Sequence, residues 1–592
     1  MTVFPATGPP SGGERDTIRG EEAGSLLILP SALRAILTAD LMRGSRLNAR
    51  TGWTIPPPAI IALAIMVSLL SLVPTWQGYG AASPPDRTFM GFRYMSEDHF
   101  QYAAFVRQAR DSGSPFMRNP FTAEPQAGRY VLLYFWVVGM VCRATGASVT
   151  TAWEIMRVAG GIIYILLFWQ FSAAYITDRA RRMIATALFG LAGGLDWVIA
   201  LARMAGFAAI KPLEYPYDYF WNWSTFGTML VPNWTWPAIV MMLACHLLLR
   251  QFRGRPVAIF VLLPLVWFLH PYSGMVAYLC FGLLPLMPLV ASVARLEPLD
   301  WDSFRARLAA VLPGLLSFAV VAAYLVWARQ DAVFRVNSAM GFRWTPHFAV
   351  WWYPLAYGLL LPFTCFGLAR MVCDRSLASD LVLAWGAAAF SLSVNRFYAG
   401  VKFQYLLFPP LLILACRGLF HLIDSSAPFA SFTRSAAGCT ILGLALCLNT
   451  PVSLVKDLAA AKESPEMFMS AAEIEAMQWL DRQPDGVVLS SYWSGNRLPW
   501  LSGKKSYIGH WFMTLNMKEK NRQVARFFAP EAPVSAKWEI LQLSGARYVY
   551  YGPAEVAAGE VHPGLELARI YNKDGISIYE THVAPCDAGS HR

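Results

Sequence analysis

Pro58-Ala59-Ile60-Ile61-Ala62-Leu63-Ala64-Ile65-Met66-Val67-Ser68-Leu69-Leu70-Ser71-Leu72-Val73 is an uncharged, almost wholly apolar run. It is followed by the polar stretch Arg93-Tyr94-Met95-Ser96-Glu97-Asp98-His99-Phe100-Gln101-Tyr102. A membrane span needs roughly 20 mainly apolar residues, which residues 55–74 supply, and comparable runs recur as far as residue 455. Of the 592 residues, 56% are hydrophobic and only 15% charged, against about 25% charged in soluble domains. The chain is therefore read as a polytopic α-helical membrane protein. The acidic pair Glu97-Asp98 falls just beyond the first span, where a carboxylate meets water and avoids the penalty of charge in hydrocarbon. Two readings follow. One is a general base at the lipid–water boundary; the other is a helix start, with Ser96 as N-cap and the two acids facing the helix dipole.

The net charge of +11 does not point to nucleic acid, because the Lys and Arg residues cluster in short loops between apolar runs, as the positive-inside rule requires. Arg43, Arg46 and Arg50 place residues 1–54 in the cytoplasm and the loop 75–128 outside. The loops Arg179–Arg182, Arg250–Arg255, Arg295–Arg307 and Arg370–Arg375 are then cytoplasmic. Parity requires that residues 131–145, too short for a comfortable span, form a re-entrant or juxtamembrane helix. About 11 spans result: 55–74, 154–176, 184–200, 235–249, 256–269, 273–293, 308–328, 349–370, 380–394, 404–423 and 436–455. Residues 55–455 thus form the membrane domain, with external loops 75–128, 201–234, 329–348 and 395–403. No cleavable signal peptide is visible in the first fifty residues.

Residues 456–592 are more polar and predict a small external α/β domain. The pattern gives a helix over Ala471–Arg482, a strand at Val487–Leu489, a basic helix over Met517–Phe528, helix then strand over Trp538–Tyr551, and a hairpin around Asp574-Gly575. Eight of the nine cysteines lie in or beside apolar runs and show neither CxxC nor Cys/His metal spacing, which marks them as packing residues.

With this topology, the chemically interesting polar residues collect on the external side. They are Arg93, Glu97, Asp98 and His99 in the first loop, Glu214 and Asp218 in the second, His270 at a span end, then Arg335, Arg343, Arg396 and Lys402. External cations run against the positive-inside trend. Carboxylates beside cations suit removal of a hydroxyl proton by a base while the cations hold a phosphate leaving group. Blander readings stand beside each. Pro216 between Glu214 and Asp218 argues against a shared helical face, His270 before Pro271 fits an interfacial residue, and Arg396 and Lys402 fit snorkelling headgroup anchors.

Several short stretches together resemble the GT-C superfamily of integral-membrane glycosyltransferases. They are the acidic pair followed by Tyr102, Gly193-Gly194-Leu195-Asp196-Trp197, His270-Pro271, Ala399-Gly400-Val401-Lys402-Phe403-Gln404, and the tail stretch Leu501 to Trp511. The resemblance implies inverting transfer of a sugar from a polyprenyl-phosphate-linked donor to a hydroxyl on a lipid, glycan or protein acceptor. It also implies the periplasmic face of a bacterial inner membrane. The family's first-loop base maps onto Asp98 or Glu97, and its second acidic position onto Glu214 or Asp218. His99, His270, Arg343, Arg396 and Lys402 are then expected around the substrates. Some members use a divalent cation and others none, so metal use stays open. A transporter or flippase of lipid-linked saccharides is the rival reading; it predicts inverted repeats and mid-membrane charges, neither of which the sequence shows.

Overall fold

A computed structural model describes residues 53–80, 86–93, 96–207, 223–250, 254–343, 352–374, 376–395, 400–459 and 465–582. Among these, six helices are long and apolar enough to cross a membrane: Pro58–Tyr79, Val149–Ser172, Pro271–Ala294, Trp301–Ala328, Leu377–Val394 and Phe408–Ser425. A seventh results if Ala427–Arg434 and Ala436–Cys447, bent by 88° at their junction, count as one span.

This is fewer than the 11 spans expected, and helix length accounts for much of the difference. Leu133–Thr145, Arg255–Leu269 and Leu360–Cys373 are apolar but hold 13, 15 and 14 residues. At about 1.5 Å per residue each falls short of a hydrocarbon core of roughly 30 Å. Arg179–Leu191 opens on three arginines, and Pro232–Leu249 begins with the polar run Pro232-Asn233-Trp234-Thr235. The first of the short helices covers the segment read as re-entrant or juxtamembrane. It lies against the Ser96–Ser112 helix so closely that a Cβ on Gly139 would meet Ala109 Cβ at 2.7 Å and the Val106 carbonyl oxygen at 2.8 Å.

The first two long helices are joined by a buried charge. Arg157, 1% exposed, donates from Nη1 to the Ser71 carbonyl at 3.2 Å and to Thr75 Oγ1 at 3.4 Å. It faces Glu154 at 3.2 Å. An ionisable residue at such depth needs a partner, and here both members come from one helical face. Aromatic packing fills the bundle around them, with Phe168 stacked on Phe189 at 3.9 Å.

The tail carries a five-stranded sheet in the order Lys505–Ser506, Val487–Leu489, Ala546–Tyr551, Ile576–Glu580, Ala568–Lys573. The first two pairings are parallel and the last two antiparallel. The closing hairpin turns at Asp574 (φ 50°) and Gly575 (φ 77°), the two successive left-handed residues that a type I′ turn requires. Helices Ala471–Asp481, Tyr492–Ser502, Met517–Phe528 and Val534–Ser544 flank the sheet, the first held by a Ser470/Glu473 capping box.

The tail is knitted into the segment that follows the first span. Arg87–Phe89 pairs antiparallel with Phe468–Ser470, Ser506 N–H donates to the Pro120 carbonyl at 2.9 Å, and Arg107 donates to the Trp500 and Leu501 carbonyls. One apolar cluster runs through both, including Phe100, Phe105, Trp153, Val488, Leu498 and Tyr550.

Candidate functional site

The Ser96–Ser112 helix positions the acidic pair. Its Phe100, Ala103, Ala104, Phe105 and Val106 form the buried face, while Glu97 and Asp98 lie in the first turn and Arg110 in the last, each sign matching the helix dipole. The two acids therefore lie in the first turn of a helix, as the second reading expects. What goes beyond a helix start is the partner. His510 Nε2 lies 2.8 Å from Asp98 Oδ1, a contact between residues 412 positions apart. The Asp98 side chain is 26% exposed and that of His510 only 1%.

Two glycines bring the tail this close. A Cβ on Gly495 would sit 1.9 Å from the Ile508 carbonyl oxygen, and one on Gly509 would sit 2.7 Å from the Gly495 carbonyl and 2.8 Å from Phe121. Only glycine permits this crossing. It carries His510 to Asp98 and brings Tyr492, at the start of its helix, beside Glu97. Burial, then the charge of Glu97, pushes the Tyr492 phenol well above its ordinary range, so it stays protonated as a donor.

Burial pushes the Asp98 carboxyl up, but the His510 hydrogen bond, then the charges around the carboxylate, more than offset it. The net result lies below the usual carboxylate range. Asp98 is thus an ionised carboxylate with one oxygen held. One helical turn on, Tyr102 is half-buried beside Asn233 and Tyr272, and desolvation plus the Asp98 charge raise its phenol well above the ordinary value.

Lys402 comes from a tight helical turn, Gly400–Leu406, and its Nζ lies 4.7 Å over the Tyr272 ring. Tyr272 follows His270-Pro271, where Arg255–Leu269 gives way to Pro271–Leu283. The residue before a proline is driven out of the helical region, and His270 is accordingly extended (φ −160°, ψ 108°). Its Nδ1 is engaged by Ser273 Oγ at 2.9 Å and the Tyr405 hydroxyl at 3.0 Å.

His99 is 1% exposed and sits among the rings of Phe92, Tyr102 and Trp153, with centroids 5.2 to 5.6 Å away. The structure thus gathers Glu97, Asp98, His99, Lys402 and, through Tyr272, His270 into one region. Arg343 ends the Ala332–Arg343 helix, but its side chain lies outside the described residues, as do Glu214, Asp218 and Arg396.

Sequence reasoning missed His510 and Tyr492 as site residues. His510 stood in the tail stretch that carried part of the resemblance, and the flanking Gly509 and Trp511 were its only local signal. Among the described residues no group of three or more His, Cys, Asp or Glu side chains converges to hold a metal ion. The described donors by themselves therefore do not fit a cation site, and no step below is routed through one.

No family model and no curated protein matches this sequence. Solved structures do match the fold. An oligosaccharyltransferase from Archaeoglobus fulgidus, crystallised with a tethered acceptor peptide containing the NVT sequon, has a TM-score of 0.54 at 12% identity. The match covers 83% of this chain and 69% of that one. The same archaeal protein with an inhibitory peptide and a dolichol-phosphate gives 0.50 at 12% identity, with the same coverage. ArnT from Cupriavidus metallidurans, bound to undecaprenyl phosphate, gives 0.49 at 14% identity over 88% of this chain and 97% of its own. The helical bundle, with the acidic helix after the first span and the tail packed against it, therefore shares its fold with the archaeal oligosaccharyltransferase.

Proposed function

We propose that this protein is an inverting glycosyltransferase that moves a sugar from a polyprenyl-phosphate-linked donor to an acceptor hydroxyl. We place it in a bacterial inner membrane, with residues 1–54 cytoplasmic, 55–455 the membrane domain, and 456–592 a periplasmic domain that roofs the site. The observation that carries this reading is the ionised Asp98 carboxylate, held by His510 and facing Lys402, in a GT-C fold. The archaeal neighbour crystallised with dolichol-phosphate supports the donor class.

The residues divide the reaction between them. The free oxygen of Asp98 takes the acceptor's hydroxyl proton as the hydroxyl oxygen attacks the anomeric carbon. The new carbon–oxygen bond forms on the face opposite the phosphate, and the bond to the phosphate oxygen breaks with its electron pair, so configuration inverts. Lys402, with Arg396 and Arg343, neutralises the charge that grows on the departing polyprenyl phosphate. Tyr102 and Tyr492, kept protonated by burial and by their acidic neighbours, donate hydrogen bonds at the rim. Glu214 or Asp218 supplies the second acidic position, beside the substrates. An archaeal structure of this fold contains zinc and sulfate.

The test is transfer by purified protein from a panel of polyprenyl-phosphate sugars, read as release of polyprenyl phosphate together with a glycosylated product of inverted anomeric configuration. Retained configuration, or no release from any donor in the panel, would sink the proposal.

A further inference from the structure

We infer that His510 is a positioning residue for the base: as the neutral Nε2–H tautomer it holds one oxygen of Asp98 and leaves the other for the acceptor hydroxyl. This rests on the reading of Asp98 as the base. The tautomer follows from what the two ring nitrogens meet. The Phe512 backbone N–H donates to Nδ1 at 3.3 Å, which makes Nδ1 the acceptor and leaves the proton on Nε2. Nε2–H then donates to Asp98 Oδ1 at 2.8 Å.

The ring cannot readily turn away. It is 1% exposed, with Trp511 stacked 5.9 Å from it and Phe121 6.1 Å away on a tilted plane. Its backbone is a closed turn: Met513 and Thr514 N–H both donate to the His510 carbonyl, at 3.0 and 2.9 Å. Gly509 N–H donates to Thr514 Oγ1, which in turn donates to the Phe121 carbonyl, each at 3.0 Å. Asn119 Nδ2 donates to the Met513 carbonyl at 2.7 Å and Asn337 Nδ2 to the Phe512 carbonyl at 3.0 Å. Three segments far apart in sequence therefore fix the angle of one imidazole, and through it the carboxylate.

This has a chemical consequence. A proton arriving at Nδ1 would face the Phe512 N–H, donor against donor, so His510 does not relay the proton that Asp98 collects. The proton leaves instead from the carboxylate's other oxygen, on the partly exposed side of Asp98. Around Asp98, His510 from the tail acts through its hydrogen bond, Lys402 from the Gly400–Leu406 turn and His99 on its own helix act through charge, and the Tyr102 and Tyr492 phenols lie beside it. Removing His510 leaves burial opposed by Lys402 and His99 alone. The carboxyl then titrates at a higher pH, and the acid limb of the pH–turnover profile moves upward.

The experiment compares His510→Ala and His510→Gln in the full-length protein, with turnover followed against pH. In His510→Ala turnover should fall about tenfold to a hundredfold, the scale of one lost hydrogen bond to a charged group. Its acid limb should shift to higher pH while the donor KM stays put. The Gln amide offers an N–H where Nε2–H stood, so His510→Gln should recover turnover to within about threefold and restore the limb. An unmoved limb in His510→Ala, or a Gln variant no better than Ala, would overturn the inference. If the Ala variant does not fold, His510→Gln decides alone: a wild-type limb and turnover support the role, and their loss overturns it. Asp98→Asn separates the two readings. Full activity in that variant removes the base itself, whereas an inactive Asp98→Asn with an unmoved limb in His510→Ala removes only the role of His510.

Discussion

Asn337→Ala tests how the tail is fastened to the site. Asn337, 2% exposed, donates from Nδ2 to the Phe512 carbonyl at 3.0 Å. Its Oδ1 accepts from Asn119 Nδ2 at 3.0 Å and from the Tyr130 hydroxyl at 2.8 Å. Alanine removes these three bonds and the longer one from Nδ2 to the Met513 carbonyl at 3.3 Å. Asn119 keeps its bond to the Met513 carbonyl at 2.7 Å, but the Tyr130 hydroxyl loses its acceptor. A net hydrogen bond is worth about 0.5–1.5 kcal/mol and an orphaned buried hydroxyl costs about 1–3 kcal/mol. Because these terms share one node and do not simply add, the expected total is about 2–4 kcal/mol. That corresponds to about two orders of magnitude in the opening equilibrium of the 510–514 turn. Hydrogen exchange on the detergent-solubilised protein, followed in peptides covering residues 509–515, reads this directly. Exchange there should accelerate about a hundredfold while peptides from Ala546–Tyr551 stay protected, and turnover should fall with it. Unchanged protection at 509–515 would refute the claim that this node holds the turn, and with it the three-segment anchoring of His510.

Two further outcomes are expected. Replacing Lys402, Arg396 and Arg343 singly with Gln should raise the donor KM or lower turnover in at least one case, because a phosphate carrying growing charge needs a fixed cation; normal kinetics in all three would leave them as headgroup anchors. Ser112→Cys and Lys518→Cys, in the first loop and the tail, should both react with a membrane-impermeant maleimide in cells with a permeabilised outer membrane. Protection of either above the wild-type background would contradict the placing of both segments on the periplasmic side.

The parts of the fold that were legible in the sequence are those set by neighbours along the chain. Asp574-Gly575 announces its hairpin because two consecutive left-handed residues need that chemistry. The helix Met517–Phe528 and the strand Val487–Leu489 follow from periodicity alone. Helix ends were less legible, because hydropathy does not register where a helix breaks. The segment expected as a span at 404–423 begins instead as the tight turn Gly400–Leu406, and the long helix starts at Phe408, beside Pro409 and Pro410.

The site divides in the same way. The acidic pair stood out because carboxylates are rare in so apolar a chain, and Lys402 because it broke the charge asymmetry. His510 and Tyr492 were not legible as site residues. Their closeness to Asp98 and Glu97 depends on the Gly495–Gly509 crossing, on a sheet assembled from distant strands, and on Asn337 far upstream. No local pattern encodes a contact across 412 residues.

The most direct measurement of the central claim is the turnover of Asp98→Asn in purified form, with a polyprenyl-phosphate sugar that the wild-type protein uses. Asparagine caps a helix about as well as aspartate and keeps an oxygen to accept from His510 Nε2–H, so shape, first turn and tail contact survive while the base is lost. A positioned general base contributes about 10²–10⁴-fold. The account predicts a folded variant whose turnover falls by about a hundredfold or more. Near-normal turnover in Asp98→Asn, with loss confined to Glu97→Gln, would move the base one residue upstream; activity retained in both variants would contradict the mechanism.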